Sequence, residues 1–204
     1  MPRDTTSNRI LDAAERLFAE VGFAGARTWM IAEEAGVTPA MIHYYFRTKE
    51  GLFQAVLDRI LLEMADIVDG IQPSEMTLEE MLEAFLDGYF DYMARHPNFS
   101  RISKMALGTP SREHMENVVR GFRPLFHAGI EFLEEGMASN RFARVNAEQY
   151  VVSFYCMLVS YFSDAEVLSI LVEKDPLSKE SIDSMKRHFK ELFFRGLGAQ
   201  VPSS

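Results

Sequence analysis

Residues 28–49 read TWMIAEEAGVTPAMIHYYFRTK, and the fold follows from how this stretch divides. Thr28 can cap a short helical body, WMIAEEA, which stops at Gly36, a residue suited to a left-handed turn. Thr38 can cap a second helix, with Pro39 at its first position, where a missing N–H costs nothing. Ala32 has almost no side chain, so the two helices can approach closely, and Ile42 turns inward to fix the angle between them. Ala32, Gly36 and Ile42 at this spacing are the packing signature of a helix-turn-helix.

Outward from that stretch every periodic segment reads as helix. Upstream, Ile10, Leu11, Ala14, Leu17, Phe18 and Val21 recur at three- and four-residue steps, and Gly22 supplies a stop. Residues 1–5 read as a polar arm. Downstream, Thr48 opens a helix whose apolar face runs through Leu52, Phe53, Val56, Leu57, Ile60 and Leu61 towards Ile71, with Pro73 ending it. Thr77 and Glu80 have capping-box spacing ahead of Met81, Leu82, Phe85, Leu86, Tyr89 and Met93. A shorter helix spans residues 98–107. Ser111 starts a long one in which Pro124 predicts a kink or two abutting pieces. Asn146 with Gln149 has capping-box spacing ahead of a helix apolar almost all round, a brief piece covers residues 165–172, and a last helix carries Ile182, Met185, Phe189, Leu192 and Phe193 until Gly196. No alternating strand pattern or internal repeat occurs, so the expected fold is all-α, with a small domain over residues 1–50 and a larger helical one over 51–204.

A formal charge of −9 would argue against a polyanion partner if it were uniform. Residues 1–50 carry six Lys/Arg against seven Asp/Glu, whereas residues 51–204 carry fifteen against twenty-three, so the repulsive charge lies mostly outside the helix-turn-helix. The single cysteine, Cys156, excludes an internal disulfide and reads as a buried packing residue. The first twenty residues show no signal peptide, and the uncharged apolar run Tyr150 to Phe162 is too short to span a bilayer. A cytoplasmic location and no membrane partner are therefore expected.

The segment from Ile10 to Ile60 resembles the TetR family of transcriptional regulators. The resemblance is strongest in GVTPAMIHYYFRTKEGLF, with its Gly-Val-Thr turn, aromatic-rich short helix ending in Phe, and Lys-Glu before Leu-Phe. It implies a homodimer whose N-terminal three-helix helix-turn-helix domains bind a double-stranded DNA operator, and whose C-terminal domains bind a small-molecule effector and dimerise. It also implies a repressor that a small molecule releases. The alternative is a ligand- or protein-binding module of the same build without operator recognition. The family often places a basic residue or Gly in the first turn of the recognition helix, where this chain has Pro39, Ala40 and Met41. Base readout is accordingly expected from apolar contacts to thymine methyls and from His43 and Tyr44, since Ile42 and Phe46 mark the inward face. Tyr45 can reach a phosphate with its hydroxyl. Thr28 and Thr38 can donate to phosphate while capping. Trp29 divides between a backbone contact and a partly buried anchor. Lys49 opposes the dipole of the helix it begins, so a phosphate contact explains it better than an internal role.

Twelve Met and sixteen Phe give a soft, adaptable interior suited to an apolar or aromatic effector, with Tyr89, Met93, Met105, Phe126 and Tyr155 as expected lining. Phe154, Leu158, Tyr161, Ile182, Met185, Phe189, Leu192 and Phe193 are expected at a four-helix dimer interface. No cofactor or metal is expected. No histidine has a Glu three residues before it, no His-Glu-x-x-His occurs, and Gly196-Leu-Gly198 lacks a strand before it and a third Gly, so no enzyme class is favoured.

Overall fold

The computed structural model describes residues 5–71, 75–107 and 112–199, and among them every regular element is a helix. In chain order these are α1 (Thr5–Gly25), α2 (Thr28–Ala35), α3 (Pro39–Phe46), α4 (Lys49–Asp69), α5 (Leu78–Arg95), α6 (Pro97–Leu107), α7 (Arg112–Ala138), α8 (Ala147–Ser163), α9 (Ala165–Val172) and α10 (Lys179–Gly196). Residues 1–4, Pro73 and Ser111 lie outside the described residues. The chain forms two compact units, one from residues 1–62 with 98–121, the other from residues 63–97 with 122–204. The first unit thus reaches beyond residue 50, taking in the first two thirds of α4, nearly all of α6 and the start of α7.

In the first unit α1 buries Ile10, Leu11, Ala14, Leu17 and Phe18. Val21, expected on the same stripe, is exposed instead. At Gly22 the backbone leaves the helical region (φ 78°, ψ 164°) before one more turn reaches Gly25, so the stripe loses its register there. Phe18, Phe23 and Phe53 pack edge and face around one point, with centroids 5.1–5.7 Å apart. Arg59 on α4 reaches back to Asp12 at 2.5 Å and Glu15 at 2.6 Å on α1. These bonds outweigh the cost of burying the guanidinium and hold its pKa above the usual arginine value.

The second unit centres on aromatic rings from α5, α8 and α10. Phe189 and Phe193 stack at 4.6 Å, and Phe154 sits 5.6 Å from each. Phe90 meets Phe162 and Phe189. Lys186 bridges Asp87 and Asp91, and Lys190 bridges Glu83 and Asp87, tying α10 along the length of α5. The capping box at α5 forms in full, Thr77 and Glu80 each accepting the other's backbone N–H. Asn146 caps α8 by accepting from Gln149 N at 3.0 Å. α7 continues as one helix through Pro124 rather than as two pieces. Cys156, expected to be buried, is exposed on α8.

Candidate nucleic-acid interface

The turn between α2 and α3 is built by backbone geometry that only certain residues tolerate. Gly36 adopts φ 64°, ψ 40°, and Val37 N then reaches Ala32 O at 2.9 Å to close the C-terminus of α2. Thr38 follows in an extended conformation and Pro39 begins α3. Neither α2 nor α3 has a side-chain cap: Arg27, not Thr28, is the N-cap of α2, and Thr38 makes no capping bond. The expected capping by the two threonines is thus corrected, and both threonines are exposed at helix N-termini that no side chain caps. Arg27, which the sequence reading passed over, stands exposed at the same place.

Ile31, Ala32 and Ile42 are buried, and they set α3 against the core. The opposite side of α3 carries His43 and Tyr44, both exposed, with Tyr44 75% accessible. Pro39 and Ala40 are exposed in its first turn and Met41 is half-buried. Tyr45 is half-buried and lies edge-on to Tyr44 at 5.2 Å. Phe46 is only half-buried, so Ile42 alone is the deep inward residue of this helix. Trp29 on α2 is 58% exposed, so much of the residue is accessible. Arg47 closes α3 in a positive-φ conformation (φ 66°) and is exposed.

Lys49 departs from the premise drawn for it. Its ammonium does have an internal role: Nζ donates to Ala26 O at 3.0 Å and lies 4.4 Å from the centre of the Phe23 ring. The side chain thereby turns away from the N-terminus of its own helix, where the dipole would repel it, to the carbonyl just ahead of α2. Phe23 N in turn donates to Met105 Sδ at 3.0 Å. Met105, expected to line an effector pocket, belongs to this first unit and is engaged there.

The remaining expected pocket residues are in the second unit. Met93 is fully buried, Tyr89 is 3% exposed, and Phe126 and Tyr155 are half-buried. Tyr89 is framed by Phe85 at 4.6 Å and Phe154 at 5.9 Å, and its hydroxyl has no hydrogen-bond partner among the described residues. Burial raises its pKa well above the ordinary tyrosine value. Of the expected dimer residues, Leu158, Phe189 and Phe193 are buried within the protomer, spent on the aromatic core rather than left for a partner. Phe154, Tyr161, Ile182 and Met185 are half-buried, and Leu192 is 46% exposed. The accessible apolar side chains are instead concentrated on α9, at Val167, Ile170, Leu171 and Val172.

Comparison with known proteins finds matches over both units. The profile described as "Bacterial regulatory proteins, tetR family" matches residues 10–56, and that described as "Tetracyclin repressor-like, C-terminal domain" matches residues 79–192. The HTH-type transcriptional repressor NicS of Pseudomonas putida is 27% identical over 203 residues, covering 95% of this chain and 93% of that protein. An HTH-type transcriptional repressor of Streptomyces coelicolor is 34% identical over 114 residues, 54% of this chain and 56% of the relative. Among solved structures, the fatty acid degradation regulator FadR of Bacillus halodurans superposes with a TM-score of 0.79 at 18% identity, covering 98% of this chain and all of that one. FadR of Bacillus subtilis, solved in complex with stearoyl-CoA, superposes with a TM-score of 0.70 at 18% identity, covering 93% and 98%. With a helix-turn-helix presenting His43 and Tyr44 and a matching profile over more than half its length, the chain belongs to the TetR family and is a DNA-binding transcriptional regulator.

Proposed function

We propose that the chain is a homodimeric repressor that leaves its operator when a small molecule occupies the second unit. The observation that carries the DNA half is the accessibility of His43 and Tyr44 on a helix anchored from beneath by Ile42. Two such helices enter successive major grooves about 34–36 Å apart on one face of the duplex. Pro39, Ala40 and Met41 offer apolar surface to thymine methyls, while His43 and Tyr44 supply the polar readout. Thr28, Trp29, Thr38, Tyr45 and Lys49 contact the backbone, joined by Arg27 at the N-terminus of α2, where outward N–H groups and the helix dipole favour a phosphate.

The effector is an apolar or aromatic molecule bearing one hydrogen-bond acceptor. Tyr89 supports this reading, because a buried donor without a partner is costly unless something is there to accept from it. Met93, Phe126 and Tyr155 complete the wall. Release follows if the effector binds more tightly to a form in which the two recognition helices no longer fit successive grooves, and its extent cannot exceed that difference in affinity. The dimer forms through the outer faces of α8 and α10, with Leu192 and the apolar side of α9 at its margin.

Fluorescence anisotropy with a labelled duplex from upstream of the chain's own gene tests both halves, with stearoyl-CoA and small aromatic ketones as the probes added. A saturable complex that one of these dissociates is expected. Absence of a complex contradicts the repressor reading, and a complex that none of them disturbs contradicts the effector reading.

A further inference from the structure

The side chain of Lys49, a proposed phosphate contact, is gripped by two other parts of the first unit, the Ala26 carbonyl and the Phe23 ring. An ammonium has three N–H donors. Ala26 O takes one at 3.0 Å, and the Phe23 ring, 4.4 Å from Nζ to its centre, attracts the charge through its π face without using a lone-pair acceptor. Donor capacity therefore remains for a phosphate oxygen. Ala26 immediately precedes Arg27, the N-cap of α2, so the carbonyl that fixes Nζ lies one residue ahead of the start of that helix. A flexible lysine in water would surrender much side-chain entropy on meeting DNA; one already fixed loses less.

Phe23 is itself held. It lies in the segment between Gly22, where φ is 78°, and the end of α1, so its ring position depends on contacts rather than on continuous helix. Phe18 and Phe53 pack its ring, at 5.7 and 5.2 Å. Its N–H, one residue past the break at Gly22, donates to Met105 Sδ on α6 at 3.0 Å. A thioether is a weak acceptor on a flexible side chain, so this bond is readily made and readily lost.

We infer that Phe23 and Met105 are positioning residues for DNA binding: the α6 sulfur holds the Phe23 backbone, the Phe23 ring holds the Lys49 ammonium, and α6 thereby sets the strength of a phosphate contact it does not touch. The inference rests on the reading of Lys49 as a phosphate contact, and the experiment separates the two.

The full-length chain is titrated into a fluorescent random-sequence duplex across a range of salt, as wild type, Lys49→Ala, Met105→Leu, Phe23→Leu, Phe23→Tyr and the double variants with Lys49→Ala, each checked for unchanged thermal unfolding. Met105→Leu and Phe23→Leu are expected to weaken binding about three- to tenfold and to lower the salt slope, Phe23→Tyr to retain binding, and neither Leu variant to weaken Lys49→Ala further. Amide exchange at Phe23 is expected to accelerate in Met105→Leu. If Lys49→Ala binds like wild type, the phosphate reading itself fails. If Lys49→Ala is weak while the Leu variants bind normally, or weaken Lys49→Ala by their full separate amounts, the positioning inference is overturned and the phosphate reading stands. Should Phe23→Leu fail to fold, Met105→Leu with its amide readout decides alone.

Discussion

Gly51 sits in the first turn of α4, where an alanine would ordinarily be preferred. A Cβ built there would lie 2.3 Å from the carbonyl oxygen of Phe46, the last residue of α3. The glycine lets α4 begin hard against the end of the recognition helix, and Thr48 Oγ1 accepts its N–H at 3.0 Å. Gly51→Ala is predicted to lower stability by about 1–3 kcal/mol instead of gaining the usual helical increment of roughly 0.5–1 kcal/mol. Urea unfolding followed by the single tryptophan, Trp29, reads the sign. Tyr89 makes the opposite case. Tyr89→Phe removes an unpartnered buried hydroxyl, so stability at neutral pH is predicted to hold or to rise by up to about 2 kcal/mol, while response to a ketone effector is lost. The hydroxyl also has a pH signature. Burial raises the folded pKa of Tyr89, and burial pushes that of Tyr150 up to about 12, against an unfolded value near 10. Below pH about 10 their contribution is fully present; above it the unfolded chain sheds protons that the folded chain keeps, so stability falls as pH rises. Alkaline unfolding should be shallower in Tyr89→Phe, and an unchanged curve would contradict the burial of a neutral phenol.

At the scale of helices, local chemistry was legible and tertiary choice was not. Gly36, Pro39, the Thr77–Glu80 box and Asn146 declared their turns and caps because each acts on backbone within four residues. Periodicity likewise marked Phe189 and Phe193 as one apolar stripe, and composition marked Leu158 as part of a helix to be covered on every side, but neither carries information about whether the cover comes from the same chain or another. The structure spends these three on the protomer core. The face of α8 left outward is Gln149, Ser153, Cys156 and Ser160, of which the last three are small enough for a second helix to come close. If that face meets a second copy, the Cys156 thiol should react with a thiol reagent about tenfold more slowly at micromolar concentration than in a Leu192→Glu variant that dissociates. Equal rates, with wild type shown to be dimeric, would place the interface elsewhere. The internal partners of Lys49 were hidden for a similar reason: its position against the α4 dipole was visible, but Ala26 and Phe23, more than twenty residues away in sequence, were not.

For the whole molecule, a net charge of −9 is reconciled with a polyanion partner by placement. The helix-turn-helix segment is nearly balanced, and its exposed face offers Arg27, Trp29, His43, Tyr44 and Arg47 rather than carboxylates alone. Binding should therefore be modest in strength, strongly salt-dependent, and dependent on pairing two copies for affinity. Base reading by α3 from a symmetric pair is tested most directly by hydroxyl-radical footprinting of the DNA upstream of the chain's own gene, with wild type and Tyr44→Ala. The predicted result is two protected segments about one helical turn apart on one face of the duplex, lost in Tyr44→Ala while its thermal unfolding is unchanged. A single protected segment, or a footprint that Tyr44→Ala leaves intact, would contradict it.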